Sequence, residues 1–462
     1  MTLITARHMC GIGWLLISLI GLASAGAEAA PPPEKVALTG GRIISVVGAP
    51  IDKGTVLIER GKITAVGADV EVPYDARVFD VSGKVVFPGM VNVHTWEGLD
   101  RPNEPRPVTP HLDVFDAIDP SDLFFEDCLR LGITAVHVLP ADDTVIGGVG
   151  RVVRPIGLTV GEMTIAEGDF LKIALSPRSG YDRMLQMATL RETFLELDVY
   201  LARLAEKRYE EKLKEDEKKI DVGPAQARKR GRPLIRAEDL DDRHRNLLRL
   251  TGGSVSNPDG DPLPKLVKPL GAFLYCGAAM DVVPAVKLAK DNGFFDRAVL
   301  VLGSESFKAV GELKRAARPV VLPPLLMYRE TDPLTGEVRE TFVPKPIYKA
   351  GLQFALVPGP DDSFAERMLP YQAARCVREG IPRSVAIKAI TLTPAKLLGL
   401  EKRLGSIEPG KDANLVVFSG DPLDFQSVVE RVFINGIPAY DRTKDVRLQR
   451  LLSEGLDEEK VE

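Results

Sequence analysis

The sequence predicts an α/β chain, a TIM-like (β/α)8 barrel with a small β-sandwich domain formed by both chain ends, and three observations predict it. Between residues 89 and 404, short apolar runs alternate with amphipathic stretches, the pattern of strand followed by helix in a parallel barrel. Residues 36–88 and 405–445, far apart in the chain, share a texture of brief alternating strands and tight turns. A chain of 462 residues also has room for a barrel of about 250 residues, a smaller domain and an insertion.

The ends carry the clearest local signals. Thr55-Val56-Leu57-Ile58-Glu59 and Lys62-Ile63-Thr64-Ala65-Val66 alternate around the turns Arg60-Gly61 and Gly67. Runs at 415–418 and 431–434, the second followed by the hairpin signal Asn435-Gly436, repeat that texture. One composite β-domain of 36–88 and 405–445 is therefore expected. Within the barrel the strands fall at 90–93, 134–139, 152–156, 171–175, 272–275, 298–302, 319–322 and 353–357. Helices are expected at 121–131, 282–291, 306–317 and 364–379, each followed closely by Gly, Pro or another turn.

A helical, charged insertion at 180–250 interrupts the barrel after Ser176. Met187, Leu190, Phe194, Leu197, Leu201 and Leu204 recur every three or four residues, so one helix face lies on the body. From Glu206 to Lys219 the stripe gives way to mixed charge, read as a solvated helix end. Further on, Arg228-Lys229-Arg230-Gly231-Arg232-Pro233 looks like the short basic hook that enters an A·T-rich minor groove, but it is read as a basic loop with no role.

At the start, Arg7 and His8, the apolar run 11–22 and Ala23-Ser24-Ala25 follow the order of a secretory signal. Residues 1–25 are expected to be removed, leaving a mature chain that begins near Gly26 in the periplasm or outside the cell. The apolar run is short for a membrane span. Beyond the signal, Cys128, Cys276 and Cys376 are too few and too scattered for a disulfide framework. Cys128 and Cys376 are read as small buried apolar side chains. With 60 basic and 65 acidic residues, the net charge of -5 gives no electrostatic footprint for nucleic acid. A small-molecule ligand in the barrel mouth is the expected partner, and oligomeric state leaves no signature.

Two segments carry a family resemblance. LTGGRIISVVGAPIDKGTVLIERGKITAVG, beginning at Leu38, and VFDVSGKVVFPGMVNVHT, beginning at Val78, resemble the entry segment of the amidohydrolase superfamily, specifically its imidazolonepropionase-like members. TLTPAKLLGL from Thr391, GSIEPGKDANLVVFSGDPLD from Gly405 and VERVFINGIPAY from Val429 resemble the family's closing helix and its return to the small β-domain. The resemblance implies one or two divalent ions, held by a His-x-His on strand 1, histidines after strands 5 and 6, sometimes a lysine on strand 4, and an aspartate after strand 8. The metal would lower the pKa of a bound water and polarise the scissile carbonyl, and the aspartate would take the proton.

Position by position, this chain departs from that set. Strand 1 keeps His94 but has Trp96 where the second imidazole should be, and an indole N–H can only donate. Tyr275 and Cys276 stand where the strand 5 His-x-His belongs, and strand 6 runs into Ser304 and Glu305 with no imidazole. After strand 8 the nearest carboxylates are Asp361 and Asp362. Lys172 lies on strand 4 but near its start, which reads as the wrong end of the barrel. His111, His137 and His244 are read as non-ligands, His137 as a hydrogen-bonded interior residue. A catalytic zinc needs about three protein ligands, and this inventory does not supply them.

His94 is therefore expected to be a remnant of a metal site, with Asp361 as the one catalytic candidate. Trp96, Glu97, Tyr275, Cys276, Ser304 and Glu305 are candidate pocket residues at the strand ends, where barrels build ligand sites. The expected function is that of an exported, non-catalytic or ligand-binding homologue without a cofactor. The alternative is a hydrolase acting on non-peptide carbon–nitrogen bonds through zinc or another divalent metal. A third reading makes Cys276 a nucleophile activated by His94.

Overall fold

Both chain ends enter a single sheet. The computed structural model describes residues 35–217, 219, 222–253, 267–359 and 368–458. The first strands are β1 (Lys35–Ile43), β2 (Ile51–Glu59), β3 (Lys62–Gly67), β4 (Arg77–Asp80) and β5 (Val85–Pro88). Next come β6 (Met90–Thr95), β7 (Ile133–Val138), β8 (Ile146–Val149), β9 (Arg151–Val153), β10 (Thr164–Ala166) and β11 (Phe170–Ala174). After the insertion follow β12 (Gly271–Cys276), β13 (Ala298–Leu302), β14 (Val320–Val321), a hairpin of β15 (Met327–Thr331) and β16 (Val338–Phe342), and β17 (Phe354–Ala355). The last three strands are β18 (Leu415–Phe418), β19 (Val429–Ile434) and β20 (Ile437–Asp441). The order β20-β19-β18-β5-β1-β2-β3, with β4 beside β1, joins residues from both ends in one eight-stranded sheet.

The helices are α1 (Leu123–Arg130), α2 (Val160–Met163), α3 (Arg183–Glu215), α4 (Pro224–Gly231), α5 (Asp242–Leu250) and α6 (Val282–Asp291). Then come α7 (Val310–Ala316), α8 (Pro344–Lys349), α9 (Leu369–Arg378), α10 (Arg383–Ile390), α11 (Leu392–Leu397) and α12 (Val446–Glu458). The molecule is a mixed α/β fold with several parallel ladders. β6 pairs β7 in parallel, and β11-β12-β13-β14-β17 is parallel throughout. These strands are buried on both faces, which suits their near-continuous apolar runs.

One segment departs from the parallel pattern the sequence suggests. Residues 146–153 run antiparallel to both neighbours, β8 against β11 and β9 against β7. Gly150 joins β8 to β9, and a side chain there would run into Leu139 and the ring of His137. The crossover from β7 is too short for the helix that a parallel stave requires, so the chain returns antiparallel.

The insertion is better packed than its charge suggests. Asp182 caps α3 by accepting from the backbone N–H of Leu185 at 2.7 Å. Leu201, Ala205, Tyr209 and Leu213 are all buried, so the apolar stripe continues at four-residue spacing through the charge run. Tyr209, Leu213 and Ala227 form a satellite cluster with α4, which corrects the reading of a solvated end. The basic Arg228–Pro233 stretch is helical, not a loop. Arg228 pairs with Glu206, Arg230 donates to the Tyr209 hydroxyl at 2.7 Å, and Arg232 is buried. Gly231 is required because any side chain there would strike the Ala205 carbonyl of α3.

Candidate functional site

A bulge re-aims the end of β6. Asn92 pairs with Val136 and Thr95 with Val138, so three steps on β6 answer two on β7. Val93 and His94 consequently both reach the interior. Val93 packs in the buried cluster with Val91, Ala135 and Phe273, and the His94 ring stacks on Phe273 with centroids 6.2 Å apart. Trp96 lies just past the strand, 41% exposed, edge-on to His94 at 6.2 Å.

The group that meets His94 is one the sequence reading set aside. Lys172 is 0% exposed, and its Nζ lies 2.7 Å from His94 Nε2. The same ammonium bonds the carboxylate of Asp142 and sits 5.6 Å from the centre of the Tyr275 ring. Lys172 stands opposite Phe273 in the β11–β12 ladder, mid-strand, and its four-carbon stem carries the charge across the interior. Placing it at the wrong end of the barrel was an error of backbone position, because the stem was not counted. Asp142 was missed altogether. The available signal was its place in the Ala141-Asp142-Asp143 loop directly after the second parallel strand.

That loop is clamped from two sides. Ala141 N–H donates to Pro102 O at 2.8 Å and Val145 N–H to Pro107 O at 3.0 Å, both in the Pro-rich segment after β6. The buried Gln186 of α3 donates to Thr144 O and Ala174 O, each at 2.9 Å. The insertion thus helps fix Asp142 against Lys172.

Burial governs the electrostatics. It pushes His94 well below the ordinary histidine range, with the Lys172 charge adding to the effect, so the ring is neutral and accepts through Nε2. Burial also lowers Lys172, while Asp142 opposes the loss of its charge. His137 is pushed down to about 3 by burial, against a hydrogen bond between Nδ1 and Val93 O at 3.0 Å that favours the proton. It is the hydrogen-bonded interior residue expected.

The remaining candidates separate. Tyr275 faces inward and, through burial, its hydroxyl is pushed up to about 12. Cys276, one residue on, belongs with Leu274 to the helix-facing cluster. Its thiol is fully buried, pushed up to about 12 by burial, and points its weak donor at Leu274 O. The reading of Cys276 as a His94-activated nucleophile is therefore corrected, since strand alternation turns the two apart. Glu305 accepts from the backbone N–H of Ala279 at 3.2 Å, tying the loops after β12 and β13. Glu97, after β6, and Ser304, after β13, are half-buried. Asp361 lies outside the described residues.

The donor set does not fit a metal ion. An ammonium faces His94 Nε2, Trp96 cannot ligate, and Cys276 faces away. Among the described residues, no three His, Cys, Asp or Glu side chains converge as a metal site.

These geometries define an α/β protein with a buried, charged side-chain cluster of His94, Lys172 and Asp142 among its parallel strands. Residues 364–440 match the model of an amidohydrolase family. A solved amidohydrolase from Thermotoga maritima MSB8 is 28% identical, with a TM-score of 0.70 over 88% of this chain and 100% of its own. Amidohydrolase tasK of Hapsidospora irregularis is 26% identical over 419 residues, 84% of this chain but 40% of that relative. An imidazolonepropionase from Thermoplasma volcanium is 38% identical over 69 residues, 14% of this chain and 17% of its own. The chain thus spans well under half the length of these curated relatives. It belongs to the amidohydrolase superfamily.

Proposed function

We propose that this chain is an exported amidohydrolase homologue that binds a small molecule at its chamber mouth and does not carry out metal-dependent hydrolysis. One observation carries the reading. The His94 nitrogen that would hold an ion accepts instead from a fully buried lysine ammonium. A divalent ion would have to displace that ammonium and find at least two further ligands. What a ligand meets at the mouth is the half-exposed Trp96, the Tyr275 hydroxyl and the Asp142 carboxylate. We further propose that the staves close into a barrel, a reading supported by α10 and α11, which pack on both β6 and β17. The composite sheet is proposed to complete the small sandwich domain. Export rests on the signal-like segment, which lies outside the described residues.

The test is the metal content of the purified mature chain. Well under one ion per chain is expected, and added zinc should leave the melting temperature unchanged, since tight binding to the native state must raise it. Stoichiometric metal that vanishes in His94→Ala would overturn the reading. N-terminal sequencing of protein recovered outside the cytoplasm should begin near Gly26, and an intact Met1 would make the segment an anchor. The second reading, hydrolysis of a non-peptide carbon–nitrogen bond, draws on the names of the relatives and on the inward-facing ring of His94. Turnover of an amide or cyclic amide, lost in His94→Ala, would promote it.

A further inference from the structure

We propose that His94, Asp142 and Tyr275 form an ammonium-binding cradle, which the chain fills with its own Lys172. The inference rests on the reading that no ion occupies the chamber, and goes beyond it by naming what takes the ion's place. Three kinds of group converge on Nζ, each suited to an ammonium. The neutral His94 ring offers a lone pair at 2.7 Å. Asp142 offers the countercharge. The face of Tyr275, centred 5.6 Å away, offers the negative side of an aromatic quadrupole. Acceptor, carboxylate and aromatic face together are the complement of a primary alkylammonium. A divalent cation would gain nothing from the ring face and too few donor atoms from the rest.

The cradle is also built rather than incidental. Lys172 is fully buried, and its strand partner Phe273 stacks on His94, so the stem and the imidazole share one packed wall. Asp142 is held in place by the clamped loop, so the countercharge is positioned before the lysine arrives. A buried cation with a fixed partner costs little reorganisation, whereas either charge left alone would be costly. The chamber keeps a positive centre whatever metal is available. The tethered cation occupies the cradle permanently, so a chamber ligand meets Asp142 and the aromatic side chains and not an open cation site.

Lys172→Ala tests this, because it removes Cγ, Cδ, Cε and Nζ, a fragment that n-propylammonium restores. The variant should melt more than about 5 °C below the parent chain. n-Propylammonium chloride should recover at least half of that loss in a saturable way and leave the parent chain unmoved. Sodium chloride at equal ionic strength, n-propanol and zinc chloride should each recover none. Equal melting temperatures in n-propylammonium and sodium chloride would overturn the cradle, as would recovery by n-propanol. Metal content of the parent chain tests the metal-free reading separately, so the two can fail independently. If Lys172→Ala does not fold, Lys172→Met and Asp142→Asn are compared singly and together. The cradle requires the double variant to lose less than the sum of the singles, and additive losses would overturn it.

Discussion

Two charge clusters in this molecule solve the same problem in different ways. In the chamber, one lysine ammonium is fully buried between an imidazole and a single carboxylate. At the outer joint between α1 and the segment entering α12, Arg130 is 24% exposed at its side chain and meets three carboxylates. Its Nε and Nη2 grip Asp445 at 2.7 and 3.3 Å, Nη1 reaches Asp127 at 2.8 Å, and Nη2 reaches Glu126 at 3.1 Å. The guanidinium fork can satisfy several acceptors while touching water, whereas the compact ammonium depends on one countercharge. The contrast teaches where a lost partner costs most. At the joint other carboxylates and solvent take up the charge, but around Lys172 only a neutral imidazole and an aromatic face remain.

The largest expected effect follows from that contrast. Asp142→Ala strands the Lys172 charge and should cost about 3 to 5 kcal/mol in denaturant unfolding at neutral pH. A loss below about 1 kcal/mol would erase the difference between the clusters. Asp445→Asn should cost less, about 2 kcal/mol, because Arg130 holds that carboxyl down from its ordinary 3.8 to about 2. The sign sets the pH window. A carboxylate depressed in the folded state adds stability that is complete above about 4 and lost as pH falls through about 2. The gap between parent and Asp445→Asn should therefore close over that range, and a gap that persists at the acid end would mean packing, not charge, holds the joint. Tyr440→Phe removes one hydrogen bond to Asp445, at 3.1 Å, and should cost about 1 kcal/mol. A cost equal to that of Asp445→Asn would show that the hydroxyl, not Arg130, organises the cluster.

The fold was more legible than the chamber, for a physical reason. Strand and helix leave periodic marks, so residues 171–175, 272–275 and 298–302 match β11, β12 and β13 closely, and helix 282–291 coincides with α6. The antiparallel strands at 146–153 left no such mark, because a short buried strand reads alike in either direction. The site turned on features with no period. The bulge at Val93 and His94 depends on register against β7, and Lys172 depends on the length of a stem rather than the place of its Cα. Sequence did flag the missing imidazoles at Trp96, Tyr275 and Cys276, since an absent residue type is visible without geometry. It could not show what had moved into the space. Likewise the charge run from Glu206 hid Tyr209 and Leu213, whose four-residue spacing is recognisable only once a partner helix covers it.

The one-residue join at Gly150 also bears on how this molecule comes apart. β8 is laddered to β11 and β9 to β7, so one short piece of chain belongs to two sheets at once. Neither sheet can open along that side without breaking a ladder that the other also needs. Such a seam joins the two into one cooperative unit, and their amides should lose protection against hydrogen exchange together. The hairpin β15–β16 is a two-stranded sheet of its own, with no ladder to either sheet among the described residues, and its amides should lose protection separately. The strands on either side of Gly150 thus couple the two sheets that carry His94 and Lys172.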